Sequence, residues 1–213
     1  ISVPGGREAI LVPGQVADDA AVIANAEAGI GTGLNINATL LAAVRARNPQ
    51  AFVIFKPHPD VEKLARRGAL TEIEERLGAD HVARETPIDE LLSIVQRVET
   101  FSSLAGFEAL LRGVPVTVHG LPFYAGWGVT DDLAHCERRG KHHTIDELVS
   151  AALIGYPRYW DPVSGLPCPP EVVLDRIALL RKQAPSLKMR LGQLAGRLVI
   201  GWRTLGVQSG PRA

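Results

Sequence analysis

Residues 52–60 read FVIFKPHPD. Phe52 to Phe55 form a short, unbroken apolar run rich in aromatic and β-branched side chains, which then gives way to Lys56, Pro57, His58, Pro59 and Asp60. That is the pattern of a strand buried on both faces, delivering polar groups at its carboxyl end, where open α/β sheets hold their ligands. The two prolines restrict the backbone on either side of His58 and fix the direction of its ring. A helix is expected to open after Asp60.

The same alternation continues outward in both directions. Upstream, Ala9–Pro13 reads as a strand ending in Pro13-Gly14, followed by a helix over Asn35–Ala46. Downstream, the pattern predicts short helices at Val61–Arg67 and Thr71–Leu77, a brief strand at Asp80–Ala83 and a helix at Pro87–Val95. A second polar junction, VETFSSLAGFE at Val98–Glu108, joins a strand ending at Phe101 to a helix over Leu104–Arg112. Gly113 is read as the helix stop, and Val114–His119 as the next strand. GLPFYAGWGVTDD, Gly120 to Asp132, then breaks the pattern as a polar and aromatic loop. Helix Ile145–Leu153, an irregular stretch Tyr156–Pro170, and helices Glu171–Lys182 and Leu187–Leu198 complete the reading. The expectation is an α/β fold with a Rossmann-like parallel sheet flanked by helices over residues 1–170, and a helical basic extension over 171–213.

At 213 residues and 46% hydrophobic content, the chain can close one good core. Its 23 acidic and 23 basic side chains cancel, which removes the global electrostatic case for a nucleic-acid partner. From Arg176 onward, however, Lys and Arg occur without any Asp or Glu, and such a tail suits an anionic membrane surface or an acidic partner domain. Cys136 and Cys168 provide neither a disulfide framework nor a CxxC pair, so a cytoplasmic setting is expected. No apolar run approaches the roughly 20 residues that span a bilayer. The start, ISVPGGREA, has neither an initiator methionine nor a signal-peptide pattern, and reads as part of a longer chain.

Two junctions at a sheet edge suggest a nucleotide or phosphate site. His58 can donate to a phosphate oxygen, with Lys56 beside it; the rival reading is a histidine that only bridges its loop. Ser102 and Ser103 stand at a helix start, where backbone N–H groups and hydroxyls bind anions. Either serine could equally be a plain N-cap. Glu108, one turn on, can accept two sugar hydroxyls but repels a neighbouring phosphate, a conflict resolved if ribose lies beyond the phosphate. Gln15, Asp18 and Asp19 follow the first strand and could meet a base or acceptor sugar, or serve as turn and cap groups. Phe123, Tyr124 and Trp127 could wall a ligand or pack in the core, and His119 reads as a satisfied near-core histidine. His135, Cys136, His142 and His143 lack tetrahedral metal spacing, so no structural metal is predicted. No GxGxxG, P-loop or GxSxG pattern stands in the required context.

LVPGQVADDA, FKPHPD, SSLAGFEALLRGVPV and GLPFYAGWGVTDD together resemble the capsule polysaccharide biosynthesis glycosyltransferases that add β-linked Kdo to a phosphatidylglycerol lipid. The resemblance continues through YPRYWDPVSGLPCPPEVVLDR and covers about Ile10 to Arg176. It implies the C-terminal lobe of a GT-B type module of two facing Rossmann-like lobes, with CMP-Kdo as donor substrate, no cofactor and no metal. It further implies that His58 and Lys56 act in catalysis at the donor phosphate, which Ser102 and Ser103 also bind. Glu108 would hold the ribose. Lys56 and the Gly120–Trp127 loop, Gly126 included, would line the donor pocket, and Gln15 with Asp18 or Asp19 would lie near the interlobe cleft. The implied partners are a lipid-linked saccharide acceptor, an N-terminal lobe outside this chain, and the cytosolic face of the inner membrane. A UDP-sugar transferase lobe and a non-catalytic scaffold of capsule export are the competing readings. Phe101-Ser102-Ser103 departs from the family's threonine-rich lead, leaving the division of labour between the serines open.

Overall fold

The apolar run Ala9–Pro13 forms strand β1, buried along its whole length, and Phe52–Lys56 forms β2, buried as far as Phe55. Burial of Ile10, Leu11 and Val12 at 0% exposure contributes about 1.5–3 kcal/mol for each side chain. Polar alternation is absent because the sheet is covered on both faces. The computed structural model describes residues 1–25, 35–64 and 66–182, and they divide into two compact units, 1–145 and the part from Asp146 onward.

In the first unit, helices α1 (Ala20–Asn25) and α2 (Ile36–Arg47) connect β1 to β2, and α3 (Pro59–Leu64) and α4 (Glu72–Gly78) lead to the two-residue β3 (His81–Val82). Helix α5 (Ile88–Leu92) precedes β4 (Arg97–Thr100), and α6 (Leu104–Leu111) precedes β5 (Val116–Val118) and β6 (Asp131–Asp132). The six strands run in the order β3-β2-β1-β4-β5-β6, and every adjacent pair is parallel. This is a doubly wound Rossmann-like sheet. The chain winds outward from β1 to β3, then returns to β4 and winds the other way. The switch point therefore lies between β1 and β4, and there the carboxyl edge opens a crevice.

Helix α2 starts where the Asn35 side chain accepts from the Asn37 N–H at 3.1 Å, and its buried Ile36, Leu40, Leu41 and Val44 pack on β1 and β2 in the main apolar cluster. Helix α4 starts with a reciprocal capping box. Thr71 Oγ1 accepts from the Glu74 N–H, and the Glu74 carboxylate accepts from the Thr71 N–H. One fully buried carboxylate, Glu99 on β4, accepts from Asn48 at 2.7 Å and bonds His119 at 2.8 Å. Burial alone would raise the Glu99 carboxyl, but these two bonds and the Arg97 charge hold it below the usual range. His119 is thus a near-core histidine with a named partner.

The structure corrects several expected boundaries. The third helix begins at Pro59, not Val61, because His58 caps it through its carbonyl, which accepts from the Val61 and Glu62 N–H groups. The loop Gly120–Asp132 ends in strand β6, paired with Thr117 and Val118. In the second unit, helix α7 (Ile145–Val149) passes into a π-helical turn, Ser150–Gly155, where one α-helix to Leu153 was expected. Tyr156–Pro170 is not wholly irregular: β7 (Tyr159–Trp160) and β8 (Pro167–Cys168) pair as an antiparallel ribbon. Helix α8 (Pro170–Lys182) follows, with Arg176 forked onto Asp161 at 3.0 and 3.2 Å. The expected helix Leu187–Leu198 and most of the basic tail lie outside the described residues. No helix among the described residues is long and apolar enough to cross a membrane.

Candidate functional site

At the switch point the carboxyl ends of β1 and β2, the loop after β3 and the start of α6 surround a cleft of about 550 Å³. Pro13 and Gly14 come from β1, Lys56 to Pro59 from β2, Arg84 to Ile88 from the loop after β3, and Ser103, Leu104, Ala105 and Glu108 from α6. Residues more than forty positions apart in sequence meet here because parallel strands present all their carboxyl ends on one edge.

The geometry of His58 is set locally. Its Nδ1 accepts from the Asp60 N–H at 3.1 Å, which leaves Nε2 as the donor of the neutral ring. The Gly14 N–H donates to the Lys56 carbonyl at 2.8 Å and locks the end of β1 against the start of the Lys56–Pro59 turn. The Lys56 ammonium donates to the Arg84 carbonyl and so braces the opposite wall. Burial holds its pKa below the ordinary lysine value, against the opposing pull of Glu85 and Glu62.

Ser103 is the N-cap of α6: its Oγ accepts from the Ala105 N–H at 3.2 Å, and its own N–H donates to Thr100 Oγ1 at 3.2 Å. The cap and anion-site readings are compatible here, since a capping serine stands at the cleft wall. Among the described residues the Glu108 carboxylate pairs with Arg112 at 3.9 Å, a half-exposed pair that restrains it weakly.

Of the residues singled out in the sequence, Lys56, His58, Ser103 and Glu108 line this one cleft. The others are placed elsewhere. Ser102 is not among the lining residues, and its hydroxyl donates to Gln15 Oε1 at 3.4 Å. Gln15 is buried, its amide donating to the Pro13 carbonyl and to Thr100 Oγ1 at 3.1 Å, while Asn37 brackets its backbone. It joins the ends of β1 and β4. Asp19 is engaged as a helix cap, accepting from the Ala21 N–H at 2.9 Å, and Asp18 pairs with Arg66 at 2.9 Å. Gly126 donates its N–H to Asp132 in a separate pocket. Among the described residues, none from Gly120 to Trp127 lines the cleft. Tyr124 instead is fully buried, packing on Phe107 and Phe123.

Sequence reading passed over Arg84, Glu85 and Thr86, which form one wall. Their signal was the position after a two-residue strand, too short to carry a period. Cations and carboxylates alternate around the cleft: Lys56, Lys63 and Arg84 against Glu62, Glu85 and Glu108. Such a lining suits a ligand with both an anionic group and vicinal hydroxyls. Among the described residues, no group of three His, Cys, Asp or Glu could hold a metal ion.

Comparison with known proteins agrees with this architecture. The chain is 43% identical over 156 residues to the capsule polysaccharide modification protein LipA of Neisseria meningitidis, covering 73% of this chain and 21% of that protein. It is 36% identical over 187 residues to the lipopolysaccharide-processing protein LpsZ of Rhizobium meliloti, covering 85% of this chain and 40% of that protein. Among solved structures it is similar to Thermosulfurimonas dismutans KpsC, beta Kdo 2,7 transferase, at a TM-score of 0.73 and 34% identity over 85% of this chain and 57% of that one. The beta Kdo 2,4 transferase structure of the same KpsC gives a TM-score of 0.64 at 34% identity, over 81% of this chain and 52% of that one. The chain thus spans about a fifth to two fifths of these curated relatives and little more than half of the solved chains. The Rossmann-like sheet with its flanking helices is that of a GT-B-like fold. Since the family's sequence pattern runs from residue 2 to residue 159, across the whole sheet and its cleft, the chain belongs to the capsule polysaccharide biosynthesis protein family.

Proposed function

We propose that this chain is the donor-binding lobe of a retaining glycosyltransferase that moves β-Kdo from CMP-Kdo to a phosphatidylglycerol-linked acceptor in capsule synthesis. The observation that carries the reading is the convergence of His58, Lys56, Ser103 and Glu108 on one cleft at the switch point. The likeness to KpsC, named as a beta Kdo transferase, supports the choice of donor. Transfer requires the CMP phosphate to depart while the anomeric carbon gains positive character. His58 Nε2–H donates to that phosphate, the Lys56 charge lowers the cost of its developing negative charge, and Ser103 with the start of α6 completes the cradle. Glu108 or Glu85 accepts from the ribose hydroxyls. CMP leaves with a single phosphate, which these protein groups can neutralise. The acceptor and the group that activates it belong to an opposing N-terminal lobe, and the complete enzyme works at the cytosolic face of the inner membrane, which the basic tail contacts.

Calorimetric titration with CMP and with UDP, each with and without magnesium, tests the reading. CMP binding without metal and at least tenfold weaker UDP binding is expected, with CMP affinity falling at least tenfold in His58→Ala. UDP preference would move the assignment to a UDP-sugar transferase, and absence of nucleotide binding would leave a scaffold. In the same titration, loss with Glu108→Gln assigns the ribose to α6, whereas loss only with Glu85→Gln assigns it to the loop after β3.

A further inference from the structure

The segment GLPFYAGWGVTDD stands out in the sequence, yet none of Gly120 to Trp127 lines the cleft. What it touches is the helix that does. Pro122 to Ala125 form a β-turn, closed by the Ala125 N–H donating to the Pro122 carbonyl at 3.0 Å, with Phe123 and Tyr124 as its central residues. Both rings pack on Phe107 of α6, at centroid distances of 5.0 and 6.1 Å. The Tyr124 hydroxyl donates to the carbonyl of Ser103, the N-cap of α6. Gly106 makes room for that bond, since a Cβ there would fall 2.3 Å from the phenol oxygen. The turn therefore grips α6 at its cap and at Phe107, while Ser103 and Glu108 of the same segment line the cleft.

The turn is itself held by a residue further along the chain. Arg139 Nη1 donates to the Pro122 carbonyl at 2.6 Å and to the Ala125 carbonyl at 3.1 Å, so one nitrogen binds both ends of the turn. Its guanidinium lies 5.7 Å from the centroid of Trp127, whose indole N–H donates to the Phe123 carbonyl at 2.8 Å. Arg139 reaches this position because Gly126 has no side chain: a Cβ there would come within 2.9 Å of the Arg139 Cβ. Gly126 also has a φ of +78°, a backbone region that side chains rarely adopt. Among the described residues Arg139 makes no ion pair, and its charge is directed at two backbone carbonyls and a ring. Such charge-assisted bonds are stronger than those between neutral groups.

We propose that Arg139 is a positioning residue of the donor cleft: by fixing the turn Pro122–Ala125 it holds Tyr124 on the Ser103 carbonyl, and so sets the start of α6 against the ligand. Arg139 does not itself line the cleft. Without its two bonds the turn keeps its own closing bond and the one from Trp127. The Ser103 cap then samples displaced positions, and affinity falls with the fraction of molecules in which α6 is correctly placed. The inference rests on the donor-lobe reading for what the cleft binds, whereas the contacts leading from Arg139 to α6 stand without it.

The test combines calorimetric titration with CMP and amide NMR spectra of the ligand-free chain and its variants. Arg139→Gln is expected to weaken CMP binding by about tenfold and to shift the amide resonances of Leu104, Ala105 and Gly106, with the protein still folded. Arg138→Gln, at the exposed neighbouring position, should leave both unchanged. In the double variant of Arg139→Gln with Tyr124→Phe, the loss should match the larger single loss, because both substitutions act through one bond. Where Arg139→Gln does not fold, Arg139→Lys carries the same comparison, since it keeps the charge and one donor group. Unchanged α6 resonances and CMP affinity in the folded variant overturn the inference and leave the donor lobe standing. Shifted resonances with full CMP affinity overturn the role in the cleft, and losses that multiply in the double variant overturn the route through Tyr124. If the unsubstituted chain binds no CMP, the donor-lobe reading falls, and α6 resonances that still move with Arg139→Gln uphold the link from Arg139 to α6.

Discussion

Tyr124 positions the cleft without lining it. Its hydroxyl donates to the Ser103 carbonyl, and burial pushes the phenol far up, so it remains an O–H donor throughout the accessible pH range. Tyr124→Phe is expected to cost about 0.5–1.5 kcal/mol of stability, and to weaken CMP binding severalfold at temperatures well below unfolding. Denaturant unfolding and calorimetry measure the two effects separately; unchanged CMP affinity would reduce the residue to packing alone. At this scale the sequence located strand ends well, because an apolar run broken by Lys-Pro-His-Pro or by Ser-Ser is visible without any partner. It could not tell a polar side chain facing solvent from one already satisfied. Gln15 and Asp19 stand at the same edge as His58, yet Gln15 is occupied by Thr100, 85 positions away, and Asp19 by its own helix.

Among the elements, α2 and α4 pack closely where Gly78 meets Leu41. Gly78 lies on Leu41, and a Cβ there would fall 2.3 Å from Leu41 Cγ, inside van der Waals contact. Gly78→Ala should therefore destabilise the chain by about 1–3 kcal/mol despite the better helix propensity of alanine. A higher thermal midpoint in this variant would show that the helices separate freely. Helix α4 was legible from Thr71 and Glu74, whose capping box is local in sequence. Strand β6, the β7–β8 ribbon and the π-helical turn were not. Two-residue strands carry no period, and the π-helical turn continues the apolar pattern of α7, so nothing in SAALIG marks the change.

For the molecule as a whole, Asp80 pins the N-terminal segment, α2 and β2 together. It accepts from Arg7 at 2.9 Å, from Arg45, and from the Val53 N–H at 2.9 Å. Burial alone would raise its pKa, but these three donors hold it below the usual carboxylate value. A carboxyl depressed in the folded state adds stability above its unfolded pKa, about 3.9, and that contribution is lost as pH falls through the folded value. Asp80→Asn should cost about 1–3 kcal/mol at pH 7, with the gap to the unsubstituted chain closing below about pH 4. Urea midpoints measured from pH 3 to pH 7 check this, and a gap independent of pH would exclude the charge as its source. The sequence by itself determined the alternation of strands and helices, the buried character of the sheet and the residues at each strand end, because these follow from local hydrophobic runs and backbone preference. Only the tertiary structure decided that β1 lies between β2 and β4 and that the loop after β3 closes the cleft. It also decided that Tyr124 belongs to the core rather than to a ligand wall. Strand order and side-chain satisfaction depend on contacts between residues distant in the chain, and a one-dimensional pattern does not encode which of them meet.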